Sequence, residues 1–403
     1  MRLWRTLLGK PERDDFARIA IRTLQQLGEH KPISYDPADF KLIIGEGPGL
    51  QFFLDNVYKD YLDAPRRRRR EVIGNYARCF APGSAEPPAS LEDALPDILP
   101  AVRSRAYFEL SDLRFTLAGG ERLTLPYQQI GSDLAVGLCY DQPDALSYLN
   151  RSSLENWHIS FAELLTKAMD NLWQKTTNRF ETPFPGVFVL CHHDTFDASR
   201  VLFWEIIVQA DVKGTPVVAV PDRDTLIITG SEDQDGLGYM ASVCEGALKN
   251  SRLVSTQPLI LENKTWTGLK LAENHPSYSK FRMCEVRERI IDYTEQKRLL
   301  EELYQKMGED VYVASYVASE NTETGKIRSH CVWGKGIVSD LPRTDRIFFM
   351  ENEKMILGWC PWAEAVAAFG ELMAKRVDFP ERFRVVSFPS PEQLARVRLE
   401  QLK

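Results

Sequence analysis

The chain has 403 residues, of which 44% are apolar and 10% aromatic, so it can bury two or three hydrophobic cores and is not a disordered protein. Its formal net charge of −7 argues against global binding to nucleic acid or to an anionic membrane, although a local basic patch can still act. The seven cysteines are an odd number without a C-x-x-C pair. This predicts reduced thiols in a cytoplasm and no zinc framework.

The sequence predicts no membrane span and no signal peptide. No stretch reaches the roughly eighteen consecutive apolar residues that a transmembrane helix needs. The basic segment MRLWRTLLGK has too short an apolar part, and Arg5 interrupts it. We therefore expect a cytoplasmic protein.

Residues 1–80 predict a small α+β module. Apolar residues at helical spacing over 16–27 indicate one helix. Two short strands, 40–44 and 50–54, flank the cluster Gly45-Glu46-Gly47-Pro48-Gly49. A hairpin turn fits this cluster better than a phosphate-binding loop, because no Lys-Ser or Lys-Thr pair follows it.

A helix over 58–80, broken at Pro65, is expected to carry five consecutive arginines: Arg66, Arg67, Arg68, Arg69 and Arg70. In a helix such a run points around the whole circumference, so at most two or three guanidinium groups share one face. The run is either a solvated helix face or a patch that binds an anion or an acidic partner. Nucleic acid is the weaker alternative, because no aromatic residues alternate with the arginines.

The segment APGSAEPPAS, residues 81–90, predicts a linker and a domain boundary, because it contains proline and glycine and no large apolar residue. Residues 91–272 then predict a central α+β domain. It is expected to contain a helix over 91–104, a strand over 133–140 and a helix that begins at the capping box Ser160-Phe161-Ala162-Glu163.

The most apolar stretch of the chain lies within this central domain, at 187–248. Short apolar runs predict buried strands over 187–190, 217–220 and 225–229. Longer apolar segments predict helices over 198–210 and 236–248.

Residues 280–403 predict a C-terminal antiparallel sheet with helices. A charged amphipathic helix over 285–307 comes first, and Gly308 ends it. Turn residues then separate four candidate strands, 311–318, 331–338, 346–350 and 355–359. The fold class is therefore α+β, with small, mostly antiparallel sheets covered by helices in two or three modules.

Four segments of the central domain carry a family resemblance. They read GSDLAVGLCYD, LNRSSLENWHISFAELLTKAMDNL, DASRVLFWEII and GTPVVAVPDRDTLI. They resemble the YtpQ-like family, uncharacterised bacterial proteins built on a domain of unknown function. The similarity covers most of residues 12–272 and is most specific over 197–226. It implies a cytoplasmic bacterial protein without an established activity, and it gives no role to the matching positions Asp197, Ala198, Ser199, Val220, Pro221, Arg223 and Asp224.

Cys191-His192-His193-Asp194 is the local group with metal-ligand or nucleophilic character. Adjacent histidines on a strand point to opposite faces, and no further ligands follow at a recognisable spacing, so we expect no metal here. Structural histidines at a strand end are the favoured interpretation. The alternative is a hydrolase in which His192 or His193 acts with Asp194 or Asp197.

Arg223 and Asp224 lie in a second polar group, between two predicted strands. Turn chemistry with an Arg–carboxylate pair is the favoured interpretation, and a binding site is the alternative. The spacing of the nearby carboxylates does not match a calcium loop.

The sequence thus favours a non-enzymatic bacterial cytoplasmic binding or adaptor protein, without a cofactor, whose partner presents an acidic surface. The alternatives are the hydrolase at His192 and His193, and a binder of an anionic ligand or nucleic acid through Arg66–Arg70.

Overall fold

The computed structural model describes residues 11–45, 50–78, 80, 87–117, 124–142, 146–249, 253–321 and 324–401. The chain divides into two compact units. The first takes its described residues from 1–101, 118–127 and 137–175, and the second from 102–117, 128–136 and 176–403. The units interleave along the chain, unlike the three consecutive modules that the sequence predicts. None of the described helices is long and apolar enough to cross a membrane.

The first unit begins with the expected helix and three-stranded antiparallel sheet. The elements are α1 (Arg13–Gln26), β1 (Ile33–Asp36), β2 (Lys41–Ile44), β3 (Leu50–Phe53), α2 (Asp55–Asp63), a 3-10 turn (Arg66–Arg68) and α3 (Arg69–Arg78). Ile44 lies opposite Leu50, as the predicted hairpin requires, while the turn at 46–49 lies outside the described residues. Buried aromatic rings, including Phe16, Phe40 and Phe52, fill the core between the helices and the sheet.

The rest of the first unit corrects one prediction. The elements are α4 (Leu91–Ala94), β4 (Ile98–Ser104), β6 (Leu134–Asp141), β7 (Leu146–Tyr148), α6 (Arg151–Asn156) and α7 (Phe161–Gln174). The prediction of a helix over 91–104 was wrong, because the observed helix ends at Ala94 and strand β4 occupies Ile98–Ser104. Pro96 and Pro100 cannot lie inside a helix, and the continuous apolar run is buried on both faces of β4. The boundary between the units falls within β4 and β6.

The capping box at the start of α7 is confirmed. The Ser160 side chain accepts a hydrogen bond from the Glu163 backbone N–H at 3.3 Å, and Glu163 accepts one from the Ser160 N–H at 3.1 Å. Leu164, Leu165, Ala168 and Leu172 form the buried face of this helix.

Replacing Ser160 with alanine is expected to destabilise the protein by about 1 kcal/mol, because it leaves a helix N–H without its acceptor. Thermal denaturation followed by circular dichroism measures this change. Ser152→Ala is the matched control, since Ser152 is exposed and the adjacent helix is capped by Asn150 instead. Equal melting temperatures for the two variants would contradict the prediction.

The second unit is built around a six-stranded antiparallel sheet, which confirms the three predicted apolar strands. The strands are β8 (Phe180–Phe184), β9 (Val187–Leu190), β10 (Pro216–Asp222), β11 (Thr225–Gly230), β12 (Leu259–Glu262) and β13 (Thr265–Gly268). Their order in the sheet is β13-β12-β10-β11-β9-β8. Helix α9 (Gln234–Ala247) packs on this sheet with α10 (Tyr278–Met307), which ends at Gly308 in the left-handed conformation as predicted.

Two shorter elements complete this part of the second unit. Helix α5 (Arg105–Leu117), which the sequence did not indicate, packs against α10, and β5 (Gln128–Ile130) pairs with the start of β6. The helix predicted over 198–210 is instead a 3-10 turn (Ala198–Leu202) followed by the four-residue helix α8 (Trp204–Ile207).

The C-terminal region forms two sheets rather than one antiparallel sheet. The elements are β14 (Tyr312–Val313), β15 (Val317–Glu320), β16 (Ile327–Gly334), β17 (Ser339–Pro342), β18 (Arg346–Asn352), β19 (Met355–Pro361), α11 (Trp362–Phe369), β20 (Ala374–Val377), β21 (Arg382–Val385) and α12 (Pro391–Leu394). The strand orders of the two sheets are β14-β17-β21-β20 and β15-β16-β18-β19.

Each C-terminal sheet contains one parallel pair, which the sequence did not predict. Strand β14 runs parallel to β17, and β16 runs parallel to β18. After β16 the chain leaves its sheet to form β17 in the other sheet, and it returns as β18 in the same direction. A parallel pair needs such a crossover, whereas a short hairpin gives an antiparallel one.

Candidate functional site

The predicted site residues lie in the loop 191–197 between β9 and the 3-10 turn. Asp197 organises this loop. Its carboxylate is fully buried and accepts hydrogen bonds from the backbone N–H of His192 at 2.8 Å and of His193 at 3.2 Å. Its two oxygens thus satisfy two backbone donors that the loop would otherwise leave unpaired. This geometry matches the interpretation of these residues as a structural strand end.

Arg200, which the sequence did not single out, is the centre of the polar cluster. Its side chain is fully buried. It donates to both carboxylate oxygens of Asp194, at 2.6 and 2.9 Å, to Asp197 at 3.2 Å, and to the Thr176 hydroxyl at 3.1 Å. Such a paired, planar contact is the strongest form of charge-assisted hydrogen bond. Arg200 therefore connects the loop to the segment that precedes β8.

The charge of Arg200 also fixes the protonation state of Asp194. Burial opposes ionisation of this carboxyl, but the hydrogen bonds and the charge of Arg200 outweigh burial and hold the pKa of Asp194 below its usual value. Asp194 is therefore an anion at neutral pH. A carboxylate held in this state by two bonds to an arginine is a poor proton donor or acceptor.

One ring nitrogen of His192 is hydrogen-bonded inside the protein, and the other, Nδ1, is buried without a hydrogen-bond partner among the described residues. Its Nε2 accepts a hydrogen bond from the backbone N–H of Thr177 at 3.0 Å, so in the neutral ring the proton lies on Nδ1. That Nδ1 lies 3.5 Å from the carboxylate of Asp197. Because the nitrogen that would take a proton from a substrate is already engaged, His192 gives the hydrolase alternative no support.

Cys191 and His193 form the remaining contact of the loop. The Cys191 sulfur lies 3.3 Å from Nδ1 of His193. Burial raises the pKa of the Cys191 thiol, and the carboxylate of Asp197 raises it further. The sulfur is therefore a thiol at neutral pH, whereas a nucleophilic cysteine needs a lowered pKa. Within the described part of the chain, no three His, Cys, Asp or Glu side chains are grouped to hold a metal ion.

The turn at Arg223 and Asp224 has the predicted Arg–carboxylate pair. Arg223 Nε lies 3.5 Å from Asp224, and the carboxylate of Asp222 accepts the backbone N–H of Asp224 at 3.0 Å. The carbonyl oxygen of Arg223 accepts a hydrogen bond from the N–H of Ala198 at 3.1 Å. This bond joins the start of the 3-10 turn to the connection between β10 and β11. These contacts hold the turn in place and are structural.

The sequence did not predict a cluster of carboxylates around helix α10. Glu288 on α10 accepts hydrogen bonds from the backbone N–H and the hydroxyl of Thr256, at 2.7 and 2.6 Å. One turn later Asp292 lies 3.3 Å from Arg289, which also pairs with the buried Asp133. The helical spacing of the sequence could have indicated that Glu288 is buried, because Glu288 follows the buried Phe281 and Cys284 on the same face of the helix.

The arginine run lies at the connection between α2 and α3. Arg66, Arg67, Arg68 and Arg70 are exposed, whereas Arg69 is half-buried. Arg69 donates to the carbonyl oxygen of Ala64 at 3.2 Å, and its guanidinium lies 5.2 Å from the centre of the Tyr61 ring. The run is thus a 3-10 turn that passes into a helix, and one of its five members holds the turn in place.

The fold defines an α+β protein of mostly antiparallel sheets. Comparison of the chain with family models, with curated proteins and with solved structures found no match.

Proposed function

We propose that the chain is a non-enzymatic bacterial cytoplasmic adaptor that binds an acidic partner surface through its arginine run. The observation that carries the proposal is the exposure of Arg66, Arg67, Arg68 and Arg70 on one connection. Arginine suits this role because its planar guanidinium forms paired hydrogen bonds with carboxylates that lysine cannot match. The resemblance to the YtpQ-like family supports the bacterial cytoplasm as the setting.

The connection is also rigid, which favours binding. The bonds of Arg69 fix the turn, and the Tyr76 hydroxyl donates to Asp60 across α2 and α3 at 2.5 Å. A preorganised turn loses less conformational entropy when a partner binds. Within the described residues, Arg68 is paired with Glu71 at 3.2 Å, while Arg67 and Arg70 form no ion pair. The charges of Arg67 and Arg70 are therefore available to a partner.

Reversing the charge of Arg67 and Arg70 together, as Arg67→Glu with Arg70→Glu, tests the proposal. The change is expected to leave folding intact, because exposed substitutions usually alter stability by less than about 0.5 kcal/mol. The introduced glutamates repel an acidic partner surface, so the variant is expected to lose the partner from a bacterial lysate at a salt concentration at which the unmodified protein retains it. The difference should depend on salt, because salt screens exposed ion pairs.

The matched control is Arg396→Glu with Arg398→Glu, which reverses two exposed charges near the C-terminus. It should retain the partner of the unmodified protein. If the Arg67 and Arg70 variant recovers the same proteins at the same salt as this control, the run is only a solvated surface.

A further inference from the structure

The sheet β15-β16-β18-β19 has one face in the core and one face away from it. Cys331, Trp333, Ile347 and Phe349 lie in the hydrophobic core. Side chains alternate along a strand, so their neighbours occupy the opposite face. The register places His330 beside Arg346 and Phe348 beside Trp359. We call the surface formed by His330, Arg346, Phe348 and Trp359 the outer sheet face.

The four side chains of the outer sheet face contact one another. The Arg346 guanidinium lies 4.8 Å from the centre of the Trp359 ring and 5.9 Å from that of Phe348. The Phe348 and His330 rings meet edge to face at 5.0 Å. Stacking on two aromatic rings holds the guanidinium in a fixed position. The face therefore presents a preorganised cation.

This cation lacks a directly paired carboxylate among the described residues, although the charges of Asp345 and Glu400 act on it from further away. Within the described residues Arg346 forms no ion pair, and its Nε is buried without a hydrogen-bond partner, as is Nδ1 of His330. Burial lowers the pKa of Arg346, and burial together with the charge of Arg346 lowers the pKa of His330. Buried nitrogen atoms without a partner are unfavourable, and a guanidinium without a directly paired carboxylate can still accept a charged partner. An anion bound against the guanidinium of Arg346 would supply this paired charge.

Exposed aliphatic side chains border the outer sheet face. Val317 lies opposite His330 and is 43% exposed, and Ile356 lies opposite Met350 and is also 43% exposed. Residues that face each other across a strand pair share one side of the sheet. Arginine, tryptophan and apolar side chains in one patch are the composition of a protein-binding hot spot.

We propose that the outer sheet face binds a peptide segment that places a carboxylate against Arg346 and apolar side chains against Val317 and Ile356. Single-stranded nucleic acid fits less well, because it needs open aromatic rings for base stacking. Phe348 is only 7% exposed, and the guanidinium of Arg346 already covers Trp359. The outer sheet face is a second surface, and it does not depend on the arginine run.

Fluorescence anisotropy with the full chain tests this proposal. The probe is a fluorescein-labelled peptide of alternating glutamate and valine, and the matched control peptide carries glutamine in place of glutamate. The glutamate peptide is expected to bind more tightly. Arg346→Gln is expected to weaken its binding about tenfold, the effect of losing one charge-assisted hydrogen bond. Arg376→Gln, which removes an exposed charge from β20 in the other C-terminal sheet, should leave binding unchanged.

Two further measurements separate a binding effect from a folding effect. Val317→Asp places a repelling carboxylate at an exposed edge-strand position, and it should weaken the glutamate peptide without lowering the melting temperature. In an NMR titration, the peptide should raise the pKa of the His330 ring, because a nearby anion favours the charged imidazolium. The variant with Arg67→Glu and Arg70→Glu should bind the peptide normally, so the two proposals can fail separately.

Several outcomes would overturn the proposal. These are the absence of binding, equal binding of the glutamate and glutamine peptides, and unchanged binding by the Arg346→Gln and Val317→Asp variants. Tighter binding of an oligothymidylate, lost in Arg346→Gln, would assign the face to nucleic acid instead of a peptide.

Discussion

Replacing Arg200 with methionine is expected to destabilise the protein by about 3 to 5 kcal/mol, the largest effect we expect from a single substitution. The guanidinium is fully buried and pairs with Asp194 and Asp197. Methionine fills much of the space but leaves both carboxylates without the charge of Arg200. Asp197 is fully buried, and an unpaired buried charge is far more costly than an unpaired exposed one.

Urea unfolding followed by tryptophan fluorescence measures this loss. Trp266 is a suitable reporter, because its indole N–H donates to the carbonyl oxygen of Val201, next to Arg200, at 2.8 Å. The matched control is Arg223→Met, which removes a partly exposed pair and should cost about 1 kcal/mol or less. A loss below about 1 kcal/mol for Arg200→Met would show that the buried cluster does not hold the 191–197 loop.

Hydrogen exchange provides a local readout of the same prediction. The backbone N–H groups of His192 and His193 are hydrogen-bonded to Asp197, whose position depends on Arg200. In the Arg200→Met variant these two amides should exchange faster than in the unmodified protein, whereas Arg223→Met should leave them protected.

The second large effect is a pH dependence of stability that becomes weaker in Glu288→Gln. Burial, together with the nearby carboxylate of Asp292, raises the pKa of Glu288 from 4.5 to about 7, against the hydrogen bonds from Thr256 that lower it. Between these two pH values the folded protein holds a proton that the unfolded chain has lost. Stability contributed by this proton is therefore complete at low pH and is lost as the pH rises through the folded pKa.

The shift corresponds to about 3 kcal/mol, lost between roughly pH 4.5 and pH 7. The glutamine amide in Glu288→Gln does not titrate, so the free energy of unfolding of this variant should fall less over this pH range than that of the unmodified protein. Urea unfolding at closely spaced pH values compares the two curves. Glu301→Gln removes an exposed carboxylate from the same helix and should follow the unmodified protein. Parallel curves for the unmodified protein and Glu288→Gln would contradict the prediction.

Local features of this protein were determined by its sequence. The capping box at Ser160, the strands within 187–230 and the end of α10 at Gly308 all match the structure. Each depends on residues a few positions apart, through periodicity, a cap hydrogen bond or a left-handed glycine. The same reasoning indicated the α+β class, because it needs only the order of the elements.

The polar clusters were decided by the tertiary structure. The sequence places Asp194, Asp197 and Arg200 three residues apart, which is compatible with an ion-pair group, yet the burial of Asp197 and Arg200 depends on Thr176 and on the strands around them. Likewise Glu288 lies in the core because Thr256, 32 positions earlier, supplies its hydrogen bonds. Such contacts join distant parts of the chain, and local spacing carries no information about them.

Strand direction and the outer sheet face show the same limit. The pairing of His330 with Arg346 requires β16 and β18 to run parallel, which follows from the excursion of the chain into β17. The sequence indicated how side chains alternate along each strand, but it did not indicate which strands pair with each other. Packing places the guanidinium of Arg346 against Trp359 and Phe348, and within the described part of the chain it forms no ion pair.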